Sequence, residues 1–162
     1  MVIQPGQGES VTIGRGLGVV FKLRSRDTGG SLAIVEHPLA PGALAAPPHS
    51  HAREDEISYI LEGEVGVQIG DEVVQAGEGS YIVKPRGVPH TFWNAGSRPA
   101  RILEIISPAG FETYFEELAE AVSGTTEPDF VRLGEIAARY GLTMYPEHLP
   151  DLMNRYGVTL QE

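Results

Sequence analysis

The sequence predicts an all-β barrel or sandwich that gives way to short helices near its C-terminus. Three observations carry this. Glycine (20) and proline (12) punctuate the chain. The runs between them are short and either β-branched or alternating. After Pro108 the apolar period changes from that of a strand to that of a helix.

Taken in order, strands are predicted near Ser10–Ile13, Gly18–Ser25, Ser31–Pro38, Glu56–Glu62, Glu64–Gly70, Gly79–Lys84, His90–Asn94 and Arg101–Ser107. Asp27-Thr28-Gly29-Gly30 reads as a hairpin turn, and Gly63 and Gly70-Asp71 punctuate the next hairpins. Arg101–Ile106 is apolar except for Glu104, as a strand buried on both faces reads. A carboxylate there needs a partner or a polar cavity. Beyond Pro108, Phe111, Tyr114, Phe115, Leu118, Ala119 and Val122 recur at helical spacing, and Gly124 ends the run. A second helix is predicted from about Pro128, with Val131, Leu133, Ile136, Ala137 and Tyr140 on its apolar face and Gly141 as its C-cap. A third, short helix spans Glu147–Tyr156 and closes at Gly157. The expected division is a barrel over residues 1–108 and a helical extension over residues 109–162 packed on it. The aromatic stripes of the extension are expected to pack against the barrel; a lid over its mouth or a dimer contact are the alternatives.

The 162 residues suit one domain with a sizeable core, and a hydrophobic share of 41% is ordinary for a globular chain. With no cysteine, disulfides, thiolate metal sites and cysteine nucleophiles are excluded. A net charge of −10 repels a phosphate backbone, which argues against nucleic acid as a partner. No apolar run is long enough for a transmembrane helix, so no membrane partner is expected. The N-terminal MVIQPGQGES has neither a basic nor an apolar segment of the kind a signal peptide needs, so a cytoplasmic location is expected.

Chemistry concentrates in two short segments. His49 and His51 stand at i and i+2, so on a strand both imidazoles project to one face. Glu56 follows after a short loop, at the start of the next strand. His90 follows Pro85-Arg86-Gly87-Val88-Pro89, a stretch built to turn. Singly, each residue has a bland explanation: a wet loop after Pro47-Pro48 for the first pair, a turn histidine for His90, one more acid in a polar run for Glu56. The spacing outweighs these. From His49 the chain reads His-x-His, four residues, Glu56, six residues, Gly63. From Gly79 it reads Gly79, five residues, Pro85-x-Gly87, two residues, His90, three residues, Asn94.

Those two patterns resemble the two motifs of the cupin superfamily, and the motif region here is 49–94. One departure is Leu44, where the family's first motif opens on glycine. The resemblance implies a double-sheet jelly roll, a double-stranded β-helix, with His49, His51, Glu56 and His90 holding one divalent metal ion inside one end. Oxygen and nitrogen ligands of this kind suit iron, nickel, manganese, cobalt, zinc or copper. Lys84–Asn94 followed by Ser107–Glu112 also resembles small bacterial single-domain cupins of the quercetin-dioxygenase-like type. That likeness implies a metal-dependent dioxygenase acting on a small aromatic or enolisable compound, with Glu56 both ligand and general base. A metal-dependent isomerase, lyase or hydrolase of a small molecule, or a non-catalytic ligand-binding protein, are the alternatives. Strand parity puts Ser58 and Ile60 with Glu56, and Phe92 and Asn94 with His90, as candidates to line the cavity, and turns Tyr59 outward. Glu104 either orients a histidine through its ring N–H or pairs with an arginine such as Arg101 or Arg86. Trp93 and Arg86 are placed at the mouth, with ordinary packing the alternative for Trp93. A homodimer, with the N-terminal strand exchanged, is expected because pairing removes exposed sheet edges.

Overall fold

Half-buried strands with one apolar face must stack on one another, and here they form two antiparallel sheets. The computed structural model describes residues 1–124 and 129–160. In chain order the strands are β1 (Ser10–Ile13), β2 (Leu17–Leu23), β3 (Ala33–Leu39), β4 (His49–His51), β5 (Asp55–Glu62), β6 (Glu64–Ile69), β7 (Glu72–Gly77), β8 (Tyr81–Lys84), β9 (His90–Trp93), β10 (Ala100–Ser107) and β11 (Leu142–Met144). The helices are α1 (Ser25–Thr28), α2 (Glu112–Val122), α3 (Phe130–Arg139) and α4 (Leu149–Tyr156). A six-stranded sheet runs β1-β2-β3-β10-β5-β8, and a five-stranded sheet runs β11-β4-β9-β6-β7. This is the jelly roll that the two motifs imply.

All eight predicted strands are present; of the other three, β4 is the segment read either as a strand or as a wet loop, and β7 and β11 were not foreseen. Among the described residues β7 pairs only with β6, and β11 pairs with β4. The connection after β2 holds α1, with Gly29 left-handed at its end, so the expected turn is a helical one, although β2 and β3 do pair. Gly63 does not close a hairpin. β5 lies in one sheet and β6 in the other, so Gly63 is the corner where the chain changes sheets. Its φ is +78°, and a Cβ there would meet the Pro99 carbonyl oxygen at 3.1 Å.

β10 is not buried on both faces. Ile102, Glu104 and Ile106 point into the barrel, while Arg101, Leu103 and Ile105 are half-buried on the outside. Register carries that apolar row outward, from Ile34 and Ile105 through Ile57 to Val83. Tyr59 does face outward, with its ring 4.7 Å from that of Tyr81.

The inner faces make one core from Leu39, Ile60, Val65, Val67, Ile82, Phe92 and Ile102. A second joins Val19, Phe21, Val35 and Ile106 to Phe111, Tyr114, Phe115, Ile136 and Leu142. The division at residue 108 therefore does not separate two packing units, because the extension contributes both a core face and the edge strand β11. Glu112 anchors it, accepting the N–H groups of Ser25 at 2.7 Å and Gly110 at 2.6 Å. α3 begins within the described residues at Phe130, where the Asp129 carboxylate accepts the Arg132 N–H; the start predicted at Pro128 lies outside the described residues. α4 ends at left-handed Gly157, as predicted. It covers Trp93, which is fully buried and stacks on Tyr156 with ring centroids 4.3 Å apart. Packing, not the mouth, is the place of Trp93. Among the described residues no helix is long and apolar enough to cross a membrane.

Candidate metal centre

The four predicted ligands come from three strands on two sheets. His49 and His51 lie on β4, and His49 stands directly opposite His90 of β9. Pro47-Pro48 therefore leads into a strand, not a wet loop, and the Pro48 carbonyl is held by the Tyr145 N–H at 2.8 Å. Glu56 enters from β5 of the other sheet, across the barrel interior. One donor atom from each of His49, His51, Glu56 and His90 lies within 4.8 Å of every other. His90 Nε2 is 3.2 Å from Glu56 Oε2, and His51 Nε2 is 3.6 Å from the same oxygen.

Second contacts set the imidazoles. His49 Nδ1–H donates to the Pro47 carbonyl at 2.9 Å, and His90 Nδ1–H donates to the Val88 carbonyl at 3.0 Å. A carbonyl only accepts, so each ring keeps a bare Nε2. His51 has no hydrogen bond at either nitrogen, although it is only 1% exposed. Glu54, buried and also unpartnered at Oε2, lies 3.7 Å from His51 Nδ1. Buried polar atoms normally find partners, so this set of open lone pairs fits a divalent ion. Burial, reinforced by its histidine neighbours, lowers the pKa of His49 to about 3, and burial lowers that of His51 to about 4. Both rings are thus neutral near pH 7, the state a ligand needs.

Behind Glu56 lies a polar cluster that the motifs do not reveal. Lys84, directly opposite Glu56 on β8, places its ammonium 3.1 Å from Glu56 Oε2 and 2.6 Å from Glu104 Oε2. Ser58 donates to Glu104 at 2.9 Å. Burial disfavours the Glu56 carboxylate, but the Lys84 charge, with smaller pulls from the His51 and His90 rings, outweighs it and holds this carboxyl well below its usual range. Burial pushes Glu104 up to about 7 against the pull of Lys84. Burial works against the Lys84 charge too, yet Glu104 and Glu56 keep its pKa above the ordinary value.

Both expectations for Glu104 are thereby corrected: it reaches neither a histidine nor an arginine. Arg101 pairs with Glu36, and Arg86 pairs with Asp55 on the surface. The cause is register, which brings Glu104 beside Ser58 and Lys84 on the inner face.

Phe92, Glu56, Glu104 and His49 line a cavity of about 50 Å³, room for about four waters. Ile60 and Asn94 do not line it. Ile60 is core, and Asn94 stitches a loop, donating to the carbonyls of Leu39 and Arg98 and accepting the Gly96 N–H. Ser58 acts through Glu104. The far walls are Phe111, Tyr114, Phe115 and Leu118 of the extension, with Leu142 and Met144. One more polar residue reaches this cavity, His37 of β3. The signal for His37 was present: Ala33, Val35 and Leu39 share its parity and are buried. Lys84 likewise shares the inward parity of Ile82.

Residues 35–106 match the cupin domain family. The matched stretch is a cupin domain. Among curated proteins, this chain is similar to germin-like protein subfamily 2 member 2 of Arabidopsis thaliana, 39% identical over 80 residues that make up 45% of this chain and 34% of that protein. It is also similar to tetracenomycin polyketide synthase protein TcmJ of Streptomyces glaucescens, 35% identical over 81 residues that make up 50% of this chain and 52% of that one. The matches thus span a third to a half of these relatives' lengths. Among solved structures, KdgF from Halomonas sp. superposes with a TM-score of 0.62 at 18% identity, over 70% of this chain and 99% of that one, a likeness of fold.

Proposed function

We propose that this cupin is a metal-dependent dioxygenase of a small aromatic or enolisable compound. The observation that supports it is a set of three imidazoles and one carboxylate, of which His49 and Glu56 line a cavity walled by Phe92, Phe111, Tyr114 and Phe115. Flat aromatic walls favour a flat guest through offset or edge contacts. A divalent ion held by His49, His51, Glu56 and His90 supplies Lewis acidity toward a substrate oxygen and, if redox-active, a route for electrons to dioxygen.

The protein's own groups do the rest. Glu56 stays ionised and offers a carboxylate oxygen to a substrate proton. Lys84, ion-paired behind it, fixes the direction of that oxygen. The extension supplies the apolar far wall of the cavity. The relative TcmJ carries polyketide synthase in its name, which agrees with an aromatic or enolisable substrate.

Cavity size sharpens the substrate class. Drug-sized ligands occupy roughly 300–1,000 Å³, far more than the space here. A flavonol needs a larger displacement of the extension than a single-ring compound does, which favours the single-ring class. The test is oxygen consumption by metal-loaded protein on a panel of catechols, enolisable diketones and flavonols. Glu56→Gln is expected to retain measurable metal and lose at least tenfold in turnover. Unchanged turnover in Glu56→Gln removes the base role, and turnover without oxygen favours an isomerase or lyase.

A further inference from the structure

His37 is a buried imidazole that the metal set does not use. It is 3% exposed, lies on the inner face of β3, and sits between the rings of Phe92 and Phe115, at centroid distances of 6.0 and 5.2 Å. Its Nδ1–H donates to the Gly18 carbonyl at 3.1 Å. Since a carbonyl only accepts, the hydrogen is on Nδ1, and Nε2 carries a lone pair. Among the described residues no group donates to that lone pair. Burial lowers its pKa to about 4, so the ring is neutral at pH 7 and remains an acceptor. Were His37 only core, a hydrophobic side chain would fill the same place without a bare nitrogen. Its ring instead borders the cavity that Glu56 and His49 also line.

We infer that His37 is a substrate-recognition residue, whose Nε2 accepts a hydrogen bond from an O–H or N–H donor on the ligand. The cavity then has two open polar stations among aromatic walls, since the Glu104 carboxylate that also lines it is held by Lys84 and Ser58. One is the metal-ligand set, suited to a ligand oxygen; the other is His37, suited to a donor. The ligand class that follows is a flat, single-ring compound with an oxygen for the first station and a second, donor-bearing substituent for the other. This rests on the proposed function only in taking the cavity as the substrate site. It does not depend on whether the reaction uses oxygen.

The test compares binding of isosteric probes to nickel-loaded protein by calorimetry. Resorcinol and hydroquinone carry a second hydroxyl, whereas 3-fluorophenol and 4-fluorophenol replace it with fluorine of similar size. Wild type is expected to favour at least one dihydroxy probe over its fluoro partner by about tenfold, the scale of one hydrogen bond to a buried acceptor. His37→Met keeps bulk and removes the acceptor, so the preference should collapse to within about twofold while nickel stoichiometry is unchanged. His37→Gln, which can still accept, should restore part of it, and it serves as the second variant should the methionine protein fail to fold. A preference that survives in His37→Met overturns the assignment, as do equal affinities for both probes, or no binding of either, in wild type. Loss of oxygen consumption alone, with the probe preference intact, would count against the dioxygenase reading and leave His37 in its role.

Discussion

Two polar clusters are buried side by side in this barrel, and they are built on opposite principles. At Lys84, Glu104 and Ser58 the polar groups bind one another: the ammonium meets two carboxylates and the hydroxyl donates to one of them. At His49, His51 and His90 the side chains turn bare nitrogens toward one another and toward Glu56, and His51 has no hydrogen bond at all. A closed cluster holds a fold in place. An open one has capacity for something the chain does not itself supply. Glu56 belongs to both, since one of its oxygens touches Lys84, His51 and His90.

Breaking the closed cluster should have the largest effect on stability. Lys84→Met leaves two carboxyl groups buried without a counter-charge, and removal of one partner from a buried ionic cluster costs about 3–5 kcal/mol. Urea unfolding is expected to shift by that amount, and a shift under about 1 kcal/mol would show that the cluster is not closed in the way described.

Acid should act on His37, whose ring borders the cavity and whose Nε2 has no donor among the described residues. Its pKa is about 4 when folded and 6.5 when unfolded. Between these values the unfolded chain binds the proton and the folded one does not, so stability is complete above pH 6.5 and falls as the pH drops toward 4. The slope from this residue is about 1.4 kcal/mol per pH unit. Urea midpoints of wild type and His37→Met across pH 7.5 to 4.5 should diverge by that slope; parallel curves would remove the buried, neutral imidazole from the account.

The open cluster should respond least in stability. In metal-free protein, His51→Leu replaces an unpartnered polar ring with an apolar side chain, an exchange that is nearly neutral or stabilising. The expected change in unfolding free energy is within about 1 kcal/mol, the opposite of Lys84→Met. A large loss would mean that His51 is held by contacts of its own.

The same contrast marks what was legible in the sequence. The open set was legible because its residues sit at fixed spacings within two short segments. The closed set was not, because Lys84 and Glu104 are twenty residues apart and meet only through the register of β5 with β8 and β10. Strands with one buried face announced themselves by alternation. β7 escaped because it is an edge strand, with Glu72, Val73 and Gln75 exposed and only Ala76 buried. β11 escaped because three residues that pair with β4 leave no local period. Gly63 looked like a hairpin because a left-handed glycine serves a hairpin and a corner between sheets equally well.

The most direct test of the account is metal analysis of wild type and His51→Leu after each has been stripped with chelator, reconstituted with a first-row divalent ion and desalted. Convergence of His49, His51, Glu56 and His90 on one point predicts about one ion per wild-type chain and a greatly reduced content in His51→Leu, with both proteins folded. No retained ion in wild type, or equal retention in the two, would contradict it.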